Sequence, residues 1–163
     1  MNRNRSGISG IEGNRAIFAY EKVREIVEKR YDINKGDYKS YVRRIPMLIQ
    51  TNGLGATFAF VKSKSNSKDS GNKANAYKVI YDQISEWIRV DEKQIIELKE
   101  NEDLIEKIIQ IPSSTYRALT LEILSLFNWL KRFADGMIED DNNSKSTSDK
   151  SWLIRKKTQT IKR

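Results

Sequence analysis

A chain of 163 residues, 38% hydrophobic and 32% charged, has the size and composition of one soluble domain with a real core, and no apolar run approaches the roughly eighteen residues of a membrane span. The absence of cysteine and histidine removes thiolate nucleophiles, Cys/His zinc sites, Ser–His triads and imidazole acid–base chemistry together, so any catalysis would need carboxylates, Lys, Tyr, Ser or Thr, or a metal held by oxygen atoms. The net charge of +8 is unevenly spread: residues 1–81 hold 16 Lys/Arg against 7 Asp/Glu, residues 82–140 hold 7 against 13, and residues 141–163 are basic again. That polarity suggests one surface for a polyanion and another for a basic partner.

The opening MNRNRSGISGIEGN has basic residues but no apolar stretch after them, so it does not read as a signal peptide. Residues 1–13 are expected to be a flexible start to a cytoplasmic protein. From Asn14 to Tyr31, Ala16, Tyr20, Val23 and Val27 recur at helical spacing and define a first amphipathic helix. DINKG breaks it. A second stripe follows in Tyr38, Tyr41, Val42, Ile45, Leu48 and Ile49, with Lys35, Lys39 and Arg43 four apart on another face. Pro46 removes a backbone donor and crowds the carbonyl of Val42, so a kink or a new helix start is expected there.

After TNGLG, residues Leu54 to Lys64 are small or apolar on nearly every side and read as a buried helix. KSKSNSKDSGNK is polar and reads as an exposed loop. Tyr77, Ile80, Ile84, Trp87 and Ile88 mark the next helix, and Leu104, Ile105, Ile108 and Ile109 a short one that Pro112 closes. Ser113 or Ser114 is placed to cap the last helix, whose apolar face (Tyr116, Leu119, Ile123, Leu126, Phe127, Leu130, Ala134, Met137) is the longest in the chain. No segment alternates like a strand. The expected fold is all-α, a compact single-domain bundle of about five to six helices over residues 14–138. Residues 139–163 are expected to form a flexible basic tail with one apolar knot at Trp152, Leu153 and Ile154, able to order only on a partner.

Few candidate sites survive inspection. Gly53 and Gly55 begin like a dinucleotide fingerprint, but Phe58 takes the third glycine position, no strand precedes them and no GK[ST] follows. The physical reading is a structural corner: Asn52 or Gly53 in a left-handed conformation ends one helix, and Gly55 and Ala59 let the next pack closely. The acidic cluster from Asp91 to Glu106 does not converge on one helical face and reads as solvated surface, without metal. The basic residues carry more information. Lys35, Lys39, Arg43 and Arg44 on one helix, with Lys62, Lys64, Lys68 and Lys73 after the corner, would form a basic stripe if the two helices are antiparallel. Charge alone does not choose between solvated surface and nucleic-acid binding. Tyr38 and Tyr41 could stack on bases but, as members of the stripe, read as core. Trp129, beside Lys131 and Arg132, could face a partner or a second core layer.

Two stretches, SYVRRIPMLIQTNGLGATFAFVKSK at Ser40–Lys64 and NWLKRFADGMI at Asn128–Ile138, with AYKVIYDQISEWI at Ala76–Ile88 between them, resemble the Cmr small-subunit family of type III-B CRISPR effector complexes. The resemblance implies a helical bundle without catalytic activity or cofactor. It implies that copies stack head to tail as an inner filament beside the backbone subunits that hold the guide RNA, lining the channel of the guide–target duplex and touching the target RNA strand. Target-RNA cleavage then belongs to the backbone subunit, and DNA cleavage and cyclic-nucleotide signalling to the large subunit. The resemblance supplies no set of RNA-contacting positions. Lys39, Arg43, Arg44, Lys62, Lys64, Lys131 and Arg132 are therefore inferred from charge and placement. A protein–protein scaffold that never touches RNA is the alternative.

Overall fold

The computed structural model describes residues 10–66 and 75–140, apart from the side chain of Ile11. Lys68, Lys73 and nearly all of the expected terminal tails lie outside the described residues. Six helices follow in order: α1 (Ile11–Val27), α2 (Lys35–Asn52), α3 (Leu54–Ser65), α4 (Ala76–Val90), α5 (Leu104–Ile108) and α6 (Ser113–Met137), with no strand among the described residues. α6 packs along α1 and α2, α4 packs on α2 and α3, and α5 leans on α3. α2 therefore stands between the long last helix and the α3–α4 pair.

The helix faces follow from side-chain spacing. α4 buries Tyr77, Ile80, Ile84, Trp87 and Ile88, and α6 buries Leu119, Ile123, Leu126, Phe127, Leu130 and Ala134, as their periodicity requires. α1 begins ahead of the boundary expected at residue 14, and its stripe is rotated: Phe18, Ala19, Val23 and Ile26 are buried while Tyr20 is exposed. Tyr20 is held at the surface by an edge contact with Phe133. Charged residues on the inner face of α1 misled the count, since Arg15 and Lys22 are themselves buried. α2 runs unbroken through Pro46, so no new helix starts there. α6 starts at Ser113 with Pro112 as its cap residue, and neither Ser113 nor Ser114 closes the first turn with a side-chain bond.

Gly53 makes the α2–α3 corner. It has φ +85° and ψ 162°, a glycine-only extended conformation in place of the expected left-handed helical one. Its N–H donates to the Ile49 carbonyl and its own carbonyl accepts from the Thr57 hydroxyl, closing both helix ends. Gly55 adds a contact with α6: its N–H, an orphan of the α3 first turn, donates to the Tyr116 hydroxyl at 2.9 Å. Ala59 faces solvent, so it is Gly53 and Gly55, under Tyr116 and Ile108, that set the close approach.

A buried carboxylate links the layers. Glu122 on α6 is 3% exposed, and the Arg15 guanidinium of α1 grips it with two bonds of 2.7 Å. Trp87 of α4 donates its indole N–H at 3.1 Å, and Lys93 from the α4–α5 connection reaches the second carboxylate oxygen. Burial pushes this carboxyl up, but the hydrogen bonds and charges of Arg15 and Lys93 outweigh it and hold the group at about 2, well below 4.5.

A group with a depressed folded pKa stabilises the fold fully above its unfolded pKa and loses that contribution as pH falls toward the folded one. The Glu122 contribution is thus complete above about pH 4.5 and disappears toward pH 2. Denaturant unfolding is expected to show Glu122→Gln destabilised by about 3 kcal/mol at pH 7, because Arg15 loses its counter-charge, with a smaller difference from the parent at pH 2.5. Equal differences at the two pH values would remove the ionic account. At the corner, a Cβ on Gly53 would meet the Tyr116 hydroxyl at 3.2 Å, so Gly53→Ala is expected to cost about 1–3 kcal/mol in the same measurement.

Candidate nucleic-acid interface

The basic stripe suggested by spacing divides three ways. Lys35 and Lys39 are structural. Lys35 donates to the Val27 carbonyl at 2.7 Å, at the end of α1. Lys39, 4% exposed, donates to the Ile138 carbonyl at 2.7 Å at the end of α6 and pairs with Asp140 at 2.8 Å. Two lysines one turn apart therefore neutralise the negative ends of two neighbouring helices. The Asp140 carboxyl is held below its usual range by the hydrogen bond from Lys39. Lys39 must be removed from the exposed set, because its ammonium is committed inside the bundle.

Lys62 turns the other way. It pairs with Asp103 at 2.9 Å and lies 4.8 Å over the Tyr81 ring. The Tyr81 hydroxyl bonds the same carboxylate and accepts the Ile105 N–H, closing the start of α5. Burial pushes Asp103 up, but Tyr81 and Lys62 more than offset this and leave its carboxyl low. This end of Lys62 opens into a cleft of about 520 Å³ in which Asp82, Glu86, Glu100, Glu102 and Asp103 outnumber Lys62 and Arg89. Among the described residues no three carboxylates converge to hold a metal ion. A substrate pocket for anions this is not.

The remaining cations gather around α2. Arg43 is exposed and bonds Asp135 of α6 at 2.6 Å; Lys131 lies one turn before Asp135 on the same helix and is exposed. Arg43, Arg44, Ser40 and Met47 line an open groove of about 390 Å³. Arg44 also borders a second cleft with Phe60 of α3, and Lys64 lies 5.8 Å over the Phe60 ring. Beside Arg44 and Lys64 runs an aromatic seam. Tyr41 stacks on Tyr77 at 3.9 Å, and Tyr77 meets the edge of Phe60 at 5.8 Å. Arg44 and Lys64 thus both lie beside Phe60, while Lys62 turns to the Tyr81–Asp103 side of α3.

Tyr38 is fully buried and donates to Gln83 at 2.8 Å, so it is core; burial raises its phenol far above the usual range. Trp129 forms the second core layer. It stacks on Phe133 at 5.8 Å, donates to Glu12 of α1 at 3.0 Å and lies under Arg132 at 5.7 Å. Arg132 is therefore near the α1–α6 seam and apart from the Arg44–Lys64 group. Sequence reasoning missed Arg15 and Glu122 altogether. Their pairing spans 107 positions, and the only local hint was a carboxylate on the apolar side of α6.

No described helix is long and apolar enough to cross a membrane. A family model described as CRISPR-associated protein (Cas_Cmr5) matches residues 11–137. The chain is 28% identical over 122 residues to the CRISPR system Cmr subunit Cmr5 of Thermus thermophilus, covering 75% of this chain and 90% of that protein. The X-ray crystal structure of a CRISPR-associated Cmr5 family protein, also from Thermus thermophilus, is similar with a TM-score of 0.60 and 26% identity, covering 78% of this chain and 97% of the other. The helical match runs through the corner at Gly53 and the NWLKRFADGM end of α6, the two stretches on which the sequence resemblance rested. The chain belongs to the Cmr5 family, the small subunit of type III-B CRISPR (Cmr) effector complexes.

Proposed function

We propose that this chain is a non-catalytic subunit of a cytoplasmic ribonucleoprotein. In this reading it stacks with further copies of itself as an inner filament, meets the backbone and large Cmr subunits, and contacts the guide–target duplex through the target strand. The observation that carries the RNA contact is the pair of exposed arginines on α2, Arg43 and Arg44, that line an open groove, with Lys64 over the neighbouring Phe60 ring and Lys131 one turn from Asp135, the partner of Arg43. Cations on helix surfaces contact phosphates without selecting bases. Sequence-indifferent contact suits a machine in which guide pairing reads the target.

A scaffold without RNA contact is the second reading, favoured by the pairs Arg43–Asp135 and Lys62–Asp103, which occupy two of the candidate cations. Fluorescence anisotropy of the isolated chain with single-stranded RNAs of differing sequence separates the two. The RNA reading expects weak binding, indifferent to sequence, whose log affinity falls against log salt with a slope of about −0.7 per neutralised phosphate. Replacing Arg43, Arg44, Lys64 and Lys131 together by Glu is expected to weaken binding at least about tenfold at low salt, since each phosphate contact is electrostatic. Unchanged affinity would move the interface elsewhere, and no binding by the parent at low salt would favour the scaffold.

A further inference from the structure

An apolar groove between α1 and α4 has no role in the fold or in the cation cluster. Phe18 and Trp87 form its floor, with ring centroids 5.1 Å apart and side chains otherwise buried. Ile17 and Val90 form its walls and are 48% and 57% exposed, an arrangement that leaves two large aliphatic side chains in water side by side. Glu21 and Glu92 stand on the rim, both exposed, and neither forms an ion pair with a described residue. Among the described residues no cation lines the groove. Its volume, about 240 Å³, lies below that of pockets that hold cofactor-sized molecules and suits inserted side chains. The other large exposed apolar residues among those described, Tyr20, Met47, Ile109 and Leu121, lie outside this groove, and scattered apolar residues are ordinary on a surface.

The groove asks for a short apolar segment with adjoining positive charge. The chain contains one in Trp152, Leu153 and Ile154, followed directly by Arg155, Lys156 and Lys157. We propose that this groove is the docking site of residues 152–157 of the same chain, with Trp152 to Ile154 covering Ile17 and Val90, and the basic run meeting Glu21 and Glu92.

The connection is long enough. Asp140 is anchored on Lys39, and Lys35, one turn earlier on α2, bonds the end of α1 at Val27. Ile17 lies ten residues back along α1, about 15 Å at 1.5 Å per residue. Residues 141–151, fully extended, reach about 40 Å, enough to follow α1 to the groove with slack. Docking would bury the exposed aliphatic pair and set three cations against two carboxylates that have no counter-charge among the described residues. This inference does not depend on RNA contact.

The absence of cysteine makes the test clean, because two introduced thiols can pair only with each other or with the same pair on another molecule. The double variant Val90→Cys with Leu153→Cys, in the 163-residue chain, is compared with Leu121→Cys with Leu153→Cys, whose first position is exposed on α6 outside the groove. Under mild oxidation at low protein concentration, docking raises the effective concentration of the tail at position 90, and the monomeric crosslink there is expected to form about tenfold faster than at 121. Adding Glu21→Lys and Glu92→Lys at the exposed rim is expected to slow it at least about threefold, and raising the salt to slow it as well. Equal rates at positions 90 and 121 would overturn the proposal. So would a crosslink at position 90 that appears mainly as a dimer, which would make a second copy the occupant.

Discussion

Glu122 is the constraint around which the other elements arrange themselves. A carboxylate in the middle of the longest apolar helix face is tolerable only if charge and hydrogen bonds reach it from several directions, and here they come from α1, α4 and the α4–α5 connection. Arg15 is matched to it by two parallel bonds, so α1 can slide along α6 by one turn only at the expense of both. Glu12 extends the arrangement by pairing with Arg15 and accepting the Trp129 indole, which fastens the start of α1 to α6 a second time. A hydrophobic seam alone would permit neighbouring registers. The polar network permits one.

The uneven charge of the chain is consumed largely within the molecule. Arg15 with Glu122, Lys22 with Glu86, Lys39 with Asp140, Arg43 with Asp135 and Lys62 with Asp103 each join a cation from the basic first half to a carboxylate from the acidic stretch after it. The sequence polarity that suggested two opposed surfaces is thus, in good part, a pairing code for the bundle. Other cations stay at the surface. Arg44 and Lys64 are exposed beside Phe60 and Lys131 is exposed on α6, while the cleft lined by Asp82, Glu86 and Glu100 keeps more negative than positive charge on the other side of α3. These surfaces, and not the raw counts, are what a polyanion or a neighbouring subunit would meet.

The helices were legible because their apolar residues recur at helical spacing, and α4 and α6 were read almost residue by residue. α1 was rotated in the reading because its buried face includes Arg15 and Lys22, whose charge is satisfied by partners far along the chain. Lys39 looked exposed for the same reason: nothing in its neighbourhood in sequence announces the end of α6. The corner was visible in Gly53, but its conformation, and the Tyr116 hydroxyl that closes α3, required the fold. Charged residues whose partners are distant are thus the ones that periodicity misplaces. Membership of the Cmr5 family was readable from the corner and the end of α6, whereas which cations stay exposed was not.

The claim that ties the fold to its work is that the surface cations around α2 touch the target strand. Ultraviolet crosslinking of a reconstituted Cmr complex carrying guide and target RNA, with the crosslinked peptides identified by mass spectrometry, tests it most directly. The account predicts crosslinks from target RNA to peptides containing Arg43 and Arg44, Lys64 or Lys131, and none to the peptide containing the buried Lys39 once Arg43 and Arg44 are substituted. Crosslinks confined to other subunits would contradict it.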